Sequence, residues 1–229
     1  MNGERVGLKV WVRGIVQGVG FRPFIFNLAE SLGLTGWVKN TSSGVEIEIS
    51  GPAWQVNQFI ESIKTQAPPL ARIDELRSEP CRPNGRTVFE IIESEAQPGA
   101  YLPVSPDVAI CPDCRRELFD PSDRRFRYPF INCTNCGPRF SIIRDIPYDR
   151  PNTTMVGFPL CPECKAEYEN PRDRRFHAQP VACPACGPQI WFAAAGASAI
   201  NRLADGELAL QTARAWLRDL EVPLEPRKM

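Results

Sequence analysis

Eight cysteines in four C-x2-C pairs constrain this chain more than any other feature. The stretch "CPDCRRELFDPSDRRFRYPFINCTNCGP" returns as "CPECKAEYENPRDRRFHAQPVACPACGP". Cys111, Cys114, Cys133 and Cys136 therefore recur 50 residues later as Cys161, Cys164, Cys183 and Cys186. Each unit reads C-x2-C-x18-C-x2-C, the spacing of a zinc ribbon. Four thiolates at tetrahedral geometry suit a closed, structural Zn2+ site with no open position for chemistry, so two structural zincs are expected. Duplication favours each unit closing its own site; an interleaved arrangement, the first pair meeting the last, is the other option. Disulfides would need an oxidising compartment, and the opening MNGERVGLKVWVRG has no apolar run of the kind a secretory signal needs. The ninth cysteine, Cys81, reads as a strand or loop thiol without a role.

Charge narrows the partners. Twenty-seven basic residues balance 27 acidic ones, so no overall field argues for nucleic acid or an acidic surface. No apolar run of 18 residues is present, so no span and no membrane partner is expected, and the chain reads as cytoplasmic. The repeated "DRRF", Asp123–Phe126 and Asp173–Phe176, is expected to pair Asp with Arg locally and to offset the negative charge of the thiolate sites. His177, the lone histidine, takes the place of Arg127 in the first copy and reads as a hydrogen-bonding loop residue.

The first 93 residues carry a different pattern. Lys9–Val16 alternates as a strand, and Phe21, Phe24, Ile25, Leu28, Ala29 and Leu32 recur at helical spacing before a capping Gly33. "TGWVKN" and "GVEIEIS" read as a hairpin around Thr41–Gly44. Trp54, Val56, Phe59, Ile60 and Ile63 form a second helical stripe, and "ARIDELRSE" and "TVFEIIE" are weaker strands. The order β-α-β-β-α-β with an extra edge strand predicts an α+β, ferredoxin-like two-layer sandwich. Between its first strand and helix lies "VQGVGFRPF". Gly18 and Gly20 permit close backbone approach, Pro23 fits a helix's first turn, and Arg22 offers a planar fork. Exposed amides running into a helix N-terminus make an anion site, and a phosphate cradle is expected.

"RGIVQGVGFR" and "GWVKNTSSGVEIEISG" closely resemble the two signature stretches of acylphosphatases. The resemblance implies that the amides of Gln17, Gly18, Val19, Gly20 and Phe21, with Arg22, hold the phosphoryl oxygens, and that Asn40 orients a water. It also implies hydrolysis of an acyl phosphate without metal or covalent nucleophile, by positioning and charge stabilisation.

Residues 94–110, with "QPGAYLPVSPDVAI", read as a Pro-rich linker to a loop-rich tandem zinc region over 111–188. In the tail, 189–229, Leu210, Ala213, Trp216, Leu217 and Leu220 sit near one helical face, which suggests the opening helix of a further domain. Taken together this organisation resembles the N-terminal portion of the hydrogenase maturation carbamoyltransferases, the HypF family. That resemblance implies a longer protein in which carbamoyl phosphate is hydrolysed at the first domain. A YrdC-like domain would then form carbamoyl adenylate with ATP, and the carbamoyl group would pass to a cysteine of a partner maturation protein. The ending "LEVPLEPRKM" reads as a truncation or frame break, and full transfer is not expected from this chain alone. The competing reading is a zinc-dependent protein- or nucleic-acid-binding module whose acylphosphatase fold is catalytically idle.

Overall fold

The computed structural model describes residues 5–96 and 105–190. The helical stripe expected over 207–220 lies outside the described residues.

Alternation of β-branched and polar residues builds the sheet. Strand β1 (Arg5–Ile15) lies inside the sheet, paired antiparallel with β3 (Gly44–Pro52) on one side and β4 (Arg72–Cys81) on the other. Strand β2 (Thr35–Thr41) pairs antiparallel with β3, and β5 (Phe89–Ile91) joins β2 in parallel, so the order is β4-β1-β3-β2-β5. Ladder bonds run past β5, because Glu95 N–H donates to the Asn40 carbonyl at 2.9 Å. This is the expected ferredoxin-like sandwich with its extra edge strand.

Period two sends Val10 and Val12 of β1, Val38 of β2 and Val45, Ile47 and Ile49 of β3 to one face, all buried. Helices α1 (Phe21–Ser31) and α2 (Ala53–Thr65) cover that face with Phe21, Ile25 and Ala29 and with Val56, Phe59 and Ile63. Each such side chain contributes on the order of 2 kcal/mol by leaving water. The other face carries Lys39 bridging Glu46 and Glu95, and Trp11 beneath Arg77. Trp54 departs from expectation. It is 64% exposed, because at the start of α2 it points away from the stripe that Val56, Phe59 and Ile63 share.

The cysteine-rich half has little regular structure. Two matching helices, α3 (Pro112–Phe119) and α4 (Pro162–Glu169), follow the first cysteine of each unit. Each begins with Pro at its first position, and Cys111 Sγ and Cys161 Sγ accept from the N–H of Cys114 and Cys164. Short 3-10 turns supply most of the rest. The chain passes from Ile146 to Pro147 through a cis peptide.

Candidate functional site beneath the cysteine-rich half

The glycine loop sits where expected, between β1 and α1. Gly18 has φ 71° and Gly20 φ 78°, both in the left-handed region that a side chain would strain. Space is short as well. A Cβ on Gly18 would lie 2.7 Å from Pro138 Cβ, and one on Gly20 3.1 Å from Thr134 Cβ. Those neighbours come from the cysteine-rich half, so the loop is covered by residues more than a hundred positions away.

Arg22 enters from the first turn of α1 and is 8% exposed. With the Asn40 amide turned so that its oxygen faces the guanidinium, that oxygen accepts from Arg22 Nε and Nη2 at 3.2 Å each. Arg22 Nη1 donates to Ser94 Oγ at 3.3 Å, and Nη2 donates to Asp149 Oδ1 at 2.5 Å. Gln17 ties the two halves together: its Nε2 donates to the carbonyls of Thr41 and Gly44, and its Oε1 accepts from Tyr148 N–H, all at 2.8 Å. The structure thus brings Gln17, Gly18, Gly20, Phe21, Arg22 and Asn40 around one cavity, while Val19 turns its buried side chain into the core.

That cavity measures about 20 Å3, enough for a water molecule. Asn132 and Tyr148 also line it, and among the described residues Asn132 Oδ1 and the Tyr148 hydroxyl have no hydrogen-bond partner. On the far side of Arg22 opens a groove of about 430 Å3, bordered by Ser94, Pro147, Asp149, Tyr168 and His177. Arg22 lines both spaces, and its partner Asp149 borders the groove.

His177 packs against Phe176 and Tyr168, with ring centroids 4.7 and 5.0 Å away. Its φ of 52° matches the 57° of Arg127 in the first unit, so the unusual turn belongs to the repeat. Burial, then the nearby Arg22 charge, push its imidazole down to about 4, with Asp149 opposing. The unfolded chain therefore binds this proton more readily between pH 6.5 and about 4, and stability falls as pH falls through that window. The full loss is on the order of 3 kcal/mol. In urea titrations with Zn2+ held constant, His177→Gln is expected to flatten the loss between pH 6.5 and 5, above most carboxylate titration. An unchanged slope would contradict a buried neutral imidazole.

The eight paired cysteines form two clusters, Cys111, Cys114, Cys133 and Cys136 in one and Cys161, Cys164, Cys183 and Cys186 in the other. Each unit closes on itself, which removes the interleaved pairing. Within each cluster the sulfurs lie within 4.8 Å of one another. Cys111–Cys133 is 3.5 Å, Cys133–Cys136 3.8 Å, and Cys161–Cys183 and Cys183–Cys186 3.7 Å. A tetrahedron of ~2.3 Å metal–sulfur bonds has edges of ~3.8 Å, so both donor sets fit such an ion.

The "DRRF" arginines do not pair with their own aspartates, as the sequence suggested. Asp123 and Asp173 instead accept from the N–H of Arg125 and Arg175, fixing the turn. The side chains cross to the opposite unit. Arg124 and Arg125 reach Glu167 and Cys164 Sγ, while Arg174 and Arg175 reach Glu117, and Arg174 reaches Cys114 Sγ. Arg125 Nε donates to the Ala182 carbonyl at 2.8 Å, and Arg175 Nε to its counterpart, the Asn132 carbonyl, at 3.2 Å. Burial would raise the Glu167 carboxyl, yet Arg125, Arg175 and Arg124 hold it below the usual carboxylate range. The expected charge offset is real, but it is exchanged between units. These arginines are engaged inside the fold, which removes the footprint a nucleic-acid reading needed.

Sequence reasoning did not find Ser94, Thr134, Tyr148 or Asp149 beside Arg22 and the glycine loop. No local signal marks them, since Arg22 and Asp149 are 127 positions apart. Among the described residues no helix is long and apolar enough to cross a membrane.

Comparison with known proteins agrees with this geometry. Residues 8–91 match the acylphosphatase family, and residues 110–143 and 160–193 each match the HypF finger. Carbamoyltransferase HypF2 of Cupriavidus necator is 49% identical over 160 residues, covering 69% of this chain and 20% of that protein. An acylphosphatase of Caldivirga maquilingensis is 50% identical over 80 residues, covering 34% of this chain and 83% of that protein. The crystal structure of full-length HypF in its phosphate- and nucleotide-bound form superposes with a TM-score of 0.86 at 46% identity, covering 96% of this chain and 28% of that one. The chain spans about a fifth of the length of the carbamoyltransferases it matches.

Proposed function

We propose that this chain, which belongs through residues 8–91 to the acylphosphatase family and carries the HypF finger twice, hydrolyses an acyl phosphate at the Arg22–Asn40 cradle as part of a HypF-type carbamoyltransferase. The observation that carries this reading is the convergence of the glycine loop, the Arg22 guanidinium and the Asn40 amide on one buried cavity. Amides of Gln17, Gly18, Val19, Gly20 and Phe21, with Arg22, hold the phosphoryl oxygens. Asn40 cannot deprotonate a water, but it orients one toward phosphorus. The water oxygen bonds to phosphorus as the bond to the acyl oxygen breaks, and the electron pair leaves with that oxygen. The water's proton ends on the products. An acyl phosphate is activated already, so fixed charge and orientation suffice for the rate.

Likeness to carbamoyltransferases supports carbamoyl phosphate as the substrate within that class. The two four-cysteine sites hold structural Zn2+ and keep the roof over the cradle. In the longer protein the carbamoyl group would pass to a partner maturation protein, and the setting would be cytoplasmic. The test is phosphate release from carbamoyl phosphate by the purified, zinc-loaded chain without ATP. Asn40→Ala is expected to slow turnover by about a hundredfold, since misplacing one reactant costs that much. A folded wild-type chain that releases no phosphate from carbamoyl or acetyl phosphate would overturn the reading.

A further inference from the structure

The cradle's own residues cannot tell one acyl group from another. Loop amides, Arg22 and Asn40 all address phosphate oxygens or water. A phosphoryl group seated in the loop must direct its acyl group away from the loop, and the cysteine-rich half faces it there. Thr134 lies over Gly20, Pro138 and Tyr148 lie over Gly18, and Asp149 reaches the guanidinium itself. The loop of Asp149 is fixed from several directions: Asp149 N–H donates to the Pro147 carbonyl at 2.9 Å, Asn152 Nδ2 to the same carbonyl at 2.8 Å, and Tyr148 N–H to Gln17.

We propose that Asp149 is the specificity-determining residue of the acyl-phosphate site, selecting an acyl group that carries N–H donors over one that ends in a methyl. The inference rests on the acyl-phosphate reading above. Asp149 Oδ1 contacts Arg22 at 2.5 Å, while the side chain keeps 19% of its surface open and borders the groove of about 430 Å3. An ionised carboxylate only accepts hydrogen bonds and has room for several. One oxygen stays on Arg22, which leaves acceptor capacity for a donor in the groove that Asp149 borders. A carbamoyl amide N–H satisfies it. A methyl group would displace water from it and offer nothing in return. Sites built to hydrogen-bond a substrate N–H reject analogues that lack it far better than apolar pockets reject a missing methylene. Asp149 occupies an Arg22 donor that the phosphoryl group will share.

The measurement is the ratio of kcat/KM for carbamoyl phosphate to that for acetyl phosphate, in zinc-loaded wild type, Asp149→Ala and Asp149→Asn. In Asp149→Asn the amide keeps its oxygen on Arg22 and puts its NH2 donor where the second carboxylate acceptor stood, with little change of shape. Both variants are expected to lower the ratio about 10–100-fold, mainly through loss of carbamoyl phosphate turnover. Zinc content and far-UV spectra identify a variant that has not folded, and the isosteric Asn variant then decides. Equal losses on both substrates would make Asp149 a support for Arg22 alone and overturn the proposal. Equal gains would make it a mere competitor for the guanidinium, overturning it too. Wild-type turnover of neither substrate would instead remove the acyl-phosphate reading on which this inference stands.

Discussion

Arg22→Ala is expected to reduce phosphate release from carbamoyl phosphate by about 10²–10³-fold, the usual effect of deleting one preorganised electrostatic donor. The guanidinium supplies charge where the phosphoryl group gathers it, and its planar fork allows two oxygens to be held at once. Most of the loss should appear in kcat, with a smaller rise in KM, because loop amides still bind the ground-state phosphoryl group. Arg22→Lys keeps the charge without the fork and should recover only part of the rate. The alanine variant also leaves the Asp149 carboxylate, 19% exposed on its side chain, without its cation. Stability should therefore fall somewhat, and zinc content and cooperative unfolding must be checked alongside the kinetics. Turnover within about twofold of wild type in a folded variant would mean that the cradle is not the site of hydrolysis.

Stripping the metal is expected to unfold the cysteine-rich half while the sheet survives. Residues 5–96 have their own core, with Val10, Ile25, Ile47 and Phe59 fully buried between sheet and helices. The second half has a small cluster whose buried members include Cys114, Cys133 and Cys136 themselves. Structural Zn2+ in comparable sites supplies roughly 10–16 kcal/mol of folding free energy, more than such a cluster can replace. Hydrogen exchange after chelation should therefore show lost protection across 105–190 and retained protection in β1, β2 and β3. The crossed arginines add a sharper expectation. In Cys164→Ser the damaged site should destabilise the other, since Arg124 and Arg125 of the first unit depend on Glu167 and Cys164 of the second. Arg125 is 1% exposed, and a buried cation that loses its partners typically costs about 3–5 kcal/mol. Loss confined to 161–186, with the first unit fully protected, would contradict that coupling.

Residues with a local signature were legible before any coordinates. Gly18, Gly20 and Arg22 announce a tight loop with a guanidinium at its end, because backbone freedom and a fork are needed within a few positions. The cysteine spacing announces two closed thiolate sites because each set of ligands belongs to one short unit. The alternation in "GVEIEIS" and the stripe through Val56, Phe59 and Ile63 give strand and helix by period alone. Trp54 broke the second pattern only because periodicity cannot say where a helix begins to face solvent.

What the sequence determined by itself was thus everything encoded by neighbours in the chain: the sandwich, the loop, the donor sets. The docking of one half on the other belonged to the tertiary structure alone. It decided that Pro138, Tyr148 and Asp149 roof the cradle, that Gln17 joins the halves, and that the "DRRF" arginines cross between units. The physical reason is that hydrogen bonds and ion pairs depend on distance in space. A carboxylate 127 positions from an arginine leaves no mark on the sequence around either, and only folding brings the pair to 2.5 Å.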